Sequence, residues 1–149
     1  MRELVLKRFI SGEVAVGAFL GDLRGAVTRL DSIESTIEIE DMQESFPLSR
    51  HHLVMLCDAA LSKTFSPDDL TTIAFALMAS DRFEWDDEIV SEVLSDWACP
   101  EVNFDINAST LVMHRSWLTG DAIPPSRPAV SATPDLGRLV SVRRKVPAQ

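Results

Sequence analysis

The sequence predicts an all-α fold: a bundle of four to six antiparallel helices followed by a disordered C-terminal tail. Three observations carry that expectation. Apolar residues recur at i, i+3, i+4 and i+7 in segment after segment between Leu4 and Leu118. Residues that start and stop helices flank most of these segments. Strand-like alternation is confined to Ile37 and Ile39, and no partner strand is evident beside them. A chain of 149 residues accommodates one domain, residues 1–119, with an appendage, residues 120–149. An apolar fraction of 46% with 25% charged residues excludes a wholly disordered chain.

The elements follow in order. Leu4–Ile10 reads as a short helix, and Val16, Phe19, Leu20, Leu23, Val27 and Leu30 form a longer stripe. Gly17, Gly21 and Gly25 recur every four residues on that second helix, each costing about 1 kcal/mol of propensity relative to Ala. Close approach of another helix is the simpler reading of that spacing. Residues 31–46 read as an acidic loop. Leu53, Leu56, Cys57, Ala60 and Leu61 make the next helix, with Ser49 as its cap and Leu48 placed to staple against Leu53. Leu70, Ile73, Ala74, Leu77 and Met78 follow, opened by Ser66 as cap, Pro67 at the first helical position and Asp68 and Asp69 in the first turn. Ile89 or Val90, Val93, Leu94 and Trp97 define a helix capped by Asp86 or Asp87 and ended by Pro100. The last helix starts near Asn107, carries Leu111 and Leu118, and stops at Gly120.

A shift of 51 residues sets Leu4, Val5, Leu6, Ile10, Val14 and Phe19 against Met55, Leu56, Cys57, Leu61, Phe65 and Leu70. Both copies read helix, serine (Ser11, Ser62), short turn, helix. Two similar helical hairpins packed together are one reading, and chance likeness of amphipathic hairpins is the other. The tail after Gly120 holds Pro124, Pro125, Pro128, Pro134 and Pro147 among Ser, Ala and Arg, without sustained periodicity, and reads as disordered or loosely docked.

The net charge is −9, from 14 basic and 23 acidic residues. The tail from Asp121 carries +3, which leaves −12 on the body. A net negative chain is a poor binder of polyanions, so direct nucleic-acid binding is not expected and a basic partner is. The opening Met-Arg-Glu-Leu has no signal-peptide arrangement, and the longest apolar run, Leu70–Ser80, is too short to span a bilayer. Two cysteines make no disulfide framework. A cytoplasmic protein without a membrane role is expected.

Catalytic and metal-binding motifs are missing from the sequence. His51 and His52 diverge by about 100° around a helix and cannot share a metal without distortion, and no CxxC, HExxH or HxxxH spacing exists. There is no GxSxG elbow and no phosphate loop. Cys57 and Cys99 read as small packed residues, and a Cys57–His114 pair is the weaker alternative. The expectation is no enzyme, no catalytic residues, no metal and no cofactor.

Two stretches lack any Lys or Arg. One holds Asp31, Glu34, Glu38, Glu40, Asp41 and Glu44. The other, residues 83–114, holds Glu84, Asp86, Asp87, Glu88, Glu92, Asp96, Glu101 and Asp105. Acids at a helix start offset the macrodipole, but that accounts for two or three of them. The remainder is either a solvated face or a surface for a cationic partner, reached by electrostatically steered association. Trp85, set among carboxylates, is either a staple for the following helix or an apolar interface anchor with an acidic rim.

At Ala76-Leu77-Met78-Ala79-Ser80-Asp81-Arg82-Phe83-Glu84-Trp85-Asp86 the chain resembles the colicin D immunity protein family. Phe104-Asp105-Ile106-Asn107 and Phe9-Ile10-Ser11-Gly12-Glu13 are similar to further patches of that family, over residues 4–118. The resemblance implies an all-α bacteriocin immunity protein that binds the nuclease domain of a cognate basic, tRNA-cleaving toxin, its acids standing in for nucleic-acid phosphates. It implies a toxin-facing role for Asp81, Glu84, Asp86 and Glu88. Trp85, Asp87 and Glu92 complete the expected binding surface. Arg82 and Phe83 would hold the turn, one by an ion pair and one by burial. The competing expectation is an acidic helical adaptor or regulatory subunit that works through this face or through its basic tail.

Overall fold

Among the described residues six helices form, largely where the apolar spacing places them: α1 (Glu3–Ile10), α2 (Val16–Ala26), α3 (Arg50–Leu61), α4 (Pro67–Ala79), α5 (Glu88–Ala98) and α6 (Ala108–Thr119). The computed structural model describes residues 1–29, 34–125 and 139–145. Most caps are those written in the sequence. Ser66 Oγ accepts from the Asp69 amide at 3.1 Å, and Asp69 returns the bond to the Ser66 amide at 3.0 Å. Asp87 accepts from the Ile89 amide at 2.9 Å to start α5, and Asn107 from the Thr110 amide at 3.0 Å to start α6. Gly120 ends α6 at φ 83°, a left-handed conformation open to a residue without Cβ. Ser49 caps α3, and the reciprocal acceptor is His52 Nδ1, 2.9 Å from the Ser49 amide.

The expectation of an all-α bundle is wrong. Strands β1 (Val27–Arg29), β2 (Glu34–Glu40), β3 (Phe46–Pro47), β4 (Phe83–Glu84) and β5 (Leu139–Lys145) build two small sheets, so the fold is mixed α/β with helices dominant. In the three-stranded sheet β2 lies between β1, antiparallel, and β5, parallel. Residues 34–40 of the segment read as an acidic loop are therefore the central strand, while residues 31–33 lie outside the described residues. Ile37 and Ile39 enter the core, while Glu38 is exposed and Glu40 half-buried, as a pleat with period two requires. Its partners escaped notice because one continues the stripe of α2 and the other lies a hundred residues away. Val27 leaves that stripe to begin β1, and Leu30 and Asp31 lie outside the described residues. The expectation of a disordered tail fails over residues 139–145. Residues 126–138 and 146–149 lie outside the described residues.

The turns that close α1 and α3 repeat. After α1 the amides of Ser11, Gly12 and Glu13 bond the carbonyls of Lys7, Phe9 and Arg8. After α3 the amides of Ser62, Lys63 and Thr64 bond those of Asp58, Ala60 and Ala59, the same pattern shifted by 51. Each is a Schellman closure with one left-handed residue, Gly12 at φ 81° and Lys63 at φ 63°. Phe9 stacks on Phe19 at 4.6 Å, and Phe65 meets both rings edge-on at 5.6 and 6.1 Å, which fastens the first hairpin to the second. Helix α3 lies centrally, touching α1, α4, α5 and α6, and one apolar core runs through all six helices and β2. The glycines of α2 answer to no close neighbour. A Cβ at Gly17, Gly21 or Gly25 would meet nothing within 4 Å, which corrects the reading of close helix approach. Instead α2 is tied to α4 by a two-point ion pair, Arg24 Nη2 and Nε to Asp69 at 2.7 and 3.2 Å.

Candidate functional site

The acidic segment 81–92 begins at the second sheet. The Phe46 amide donates to the Arg82 carbonyl at 2.7 Å and the Leu48 amide to the Glu84 carbonyl at 2.8 Å, so β3 and β4 zip the end of one acidic stretch to the start of the other. Phe83 is buried edge-on to Phe46 at 5.8 Å, matching the expected role of burial. Arg82 is exposed and makes no ion pair among the described residues, against the expectation.

The seven expected site residues divide by what they touch. Asp81 is exposed but engaged: Arg144 of β5 reaches it at 3.2 Å and Asp41 at 3.4 Å. Asp87 caps α5 and receives a forked bond from Arg50, 2.5 Å from Nε and 3.2 Å from Nη2. Glu92 is half-buried on α5. Glu84 is exposed at the sheet edge and accepts from Ser45 Oγ at 3.3 Å. Asp86 and Glu88 are exposed on either side of the cap with no partner among the described residues. Trp85 is half-buried against the core and its indole N–H donates to Ser91 Oγ at 2.7 Å, which folds the ring back over the first turn of α5. What remains as an exposed acidic surface without ion pairs among the described residues is Glu84, Asp86 and Glu88 around an orientationally fixed tryptophan.

The Arg50 guanidinium, with the Ile89 amide, holds the Asp87 carboxyl below the usual carboxylate range. Asp69 is also lowered: burial pushes it up, but hydrogen bonds from Arg24 and Ser66 outweigh that. Asp96, counted from sequence among the surface acids, is fully buried. Its Oδ2 lies 2.9 Å from His114 Nε2, and Trp97 Nε1 donates to His114 Nδ1 at 3.1 Å. An indole nitrogen can only donate, so Nδ1 is the unprotonated nitrogen and Nε2 donates to Asp96. Cys57 does not face this group. Its thiol donates to the Leu111 carbonyl at 3.1 Å, and burial pushes it up to about 12, far from thiolate chemistry at neutral pH.

Sequence reasoning missed three residues that shape the surface. Ser91 orients Trp85, Arg50 pairs with Asp87, and Arg144 joins Asp81 to Asp41. The available signal for Arg144 was its place in Val140-Ser141-Val142-Arg143-Arg144-Lys145, a β-prone run of opposite charge to β2. A cleft of about 290 Å³ lies between α2 and β2 and one of about 470 Å³ between α1 and residues 40–44, and neither includes a residue of 81–92. No helix among the described residues is long and apolar enough to cross a membrane. No protein-family model, curated protein or solved structure matches the chain.

Proposed function

We propose that the chain is a cytoplasmic immunity-type protein that binds and blocks a basic, tRNA-cleaving nuclease toxin through this face, as the resemblance to the colicin D immunity family implies. The observation that supports the reading is the group Glu84, Asp86 and Glu88 set around Trp85. Two of these carboxylates have no partner among the described residues, and the ring is held in place by Ser91. Free carboxylates left beside a fixed aromatic suit an apolar anchor with a charged rim. Repulsion among them in the unbound chain is relieved by a cationic partner. The acids would occupy the surface on which the toxin receives phosphates, and no catalytic group of this chain is required.

The test uses a basic nuclease toxin encoded beside this chain. Association should slow steeply as salt rises. Reversal of charge in Asp86→Lys with Glu88→Lys should lower the rate constant about tenfold or more at low salt. An association rate indifferent to both salt and charge reversal would sink the reading. Binding lost on substitution of the basic tail but kept after charge reversal would favour the adaptor reading.

A further inference from the structure

We propose that the edge of β2 is a binding site for a basic extended peptide segment, occupied in the unbound chain by its own β5 and exchangeable with such a segment of a protein partner. The inference rests on the reading of the acidic surface as a partner site and adds the form the partner takes there. Strand β5 packs mainly on β2 and runs parallel to it over seven residues. The register sets Glu38 opposite Arg143 and Glu40 opposite Lys145. Paired residues of parallel strands project to the same side, so Arg143 shares the outward face with Glu38. Arg144 then clamps the end of the ladder, reaching Asp41 at 3.4 Å and Asp81 at 3.2 Å.

The register and the clamp define a recognition rule. Backbone hydrogen bonds to β2 accept any extended chain, and the acids select one that carries cations at consecutive positions. Nineteen residues separate β5 from α6, so its place in the sheet is not imposed by a tight turn. One of the acids it engages, Asp81, is given a partner-facing role by the family resemblance and lies three residues before Glu84. A basic partner that reaches Asp81 competes with Arg144 for it. A strand tethered to its own sheet competes at an effective concentration of the order of millimolar. Displacement then needs either a high local concentration of the incoming segment or other contacts that bring it close, such as those at Trp85.

The test uses the full chain and a synthetic peptide, Leu-Val-Ser-Val-Arg-Arg-Lys, as the probe. Millimolar peptide should speed amide hydrogen exchange in residues 139–145 at least tenfold, while the amides of residues 34–40 keep their protection. The same peptide with Glu at its three basic positions should do neither. No change in β5 at several millimolar peptide would overturn the proposal. In the full-length variant Arg143→Glu/Arg144→Glu/Lys145→Glu the labelled peptide should bind at least tenfold more tightly than to the wild type. Tightening that survives Asp41→Lys with Asp81→Lys would put the peptide elsewhere and also overturn it. No toxin enters these measurements. A negative result leaves the acid-face reading to its own test, and failure of the charge reversal at Asp86 and Glu88 leaves strand exchange to this one.

Discussion

The two stretches that lack Lys and Arg meet opposite fates. The first, around Glu38, Glu40 and Asp41, is met from far away: β5 runs alongside with Arg143 in register with Glu38, Arg144 reaches Asp41 at 3.4 Å, and Lys7 lies 3.9 Å from Glu44. The second, residues 83–114, is sorted locally. Asp87 is used as a cap and paired with Arg50, Asp96 is sunk beside His114, and Glu84, Asp86 and Glu88 are left at the surface. Two acidic stretches of sequence thus become a strand faced by a basic one in one place and a graded series from buried to exposed in the other. Formal charge marks where to look, and pairing decides which acids can serve a partner.

The series in the second stretch can be broken one member at a time, and the largest effect belongs to its buried end. His114→Leu removes the ring that accepts from Trp97 and donates to Asp96. It should cost about 3 kcal/mol or more in urea unfolding. A loss under 1 kcal/mol would mean that the pair contributes little to the α5–α6 contact. Next comes the cap. Asp87→Ala loses the Ile89 amide bond and strands Arg50, for an expected loss of about 1–2 kcal/mol. Acid titration sharpens that prediction. Asp87 and Asp69 have folded-state values below their ordinary range near 3.9. Their stabilisation is therefore complete above that range and is lost as pH falls through the folded values. A double change to Asn should lower stability at neutral pH and flatten its decline below about pH 4.

Smaller effects separate the first stretch from the free acids. Arg144→Ala breaks exposed pairs and should cost no more than about 1 kcal/mol, falling further with added salt. At the weakest end, Asp86→Ala should leave stability within about 0.5 kcal/mol of the wild type while slowing association with a basic partner. A substantial loss of stability there would show that Asp86 is structural like its neighbour Asp87, and the contrast between them would fail.

The legibility of the chain follows the distance between interacting residues. Ser66, Asp87, Asn107 and Gly120 act on amides or carbonyls within a turn of themselves, and Pro67 acts through its own fixed φ, so their roles stand in the local sequence. The repeat of Ser11 and Ser62 is likewise local, and its hydrogen-bond pattern recurs even where Lys63 replaces Gly12 at the left-handed position. The sheet is the opposite case. Ile37 and Ile39 alternate as a strand should, but their partner lies at 139–145, behind a proline-rich segment that argues against order. Within the site, Trp85 and the acids were visible as a cluster. The sorting among them was not, because it depends on Arg50, Ser91 and Arg144, each of which becomes a neighbour only after folding.

The long-range pairing of β2 with β5 also bears on the order of events during synthesis. Helices α3 to α6 draw most of their contacts from one continuous stretch and can condense while the chain is still being made. Strand β2 emerges early, yet its parallel partner is translated about a hundred residues later. For that interval the nascent protein displays an unpaired, strongly acidic strand edge. The charges on Glu38, Glu40 and Asp41 then act as a guard against edge-to-edge aggregation until residues 139–145 arrive to cover it.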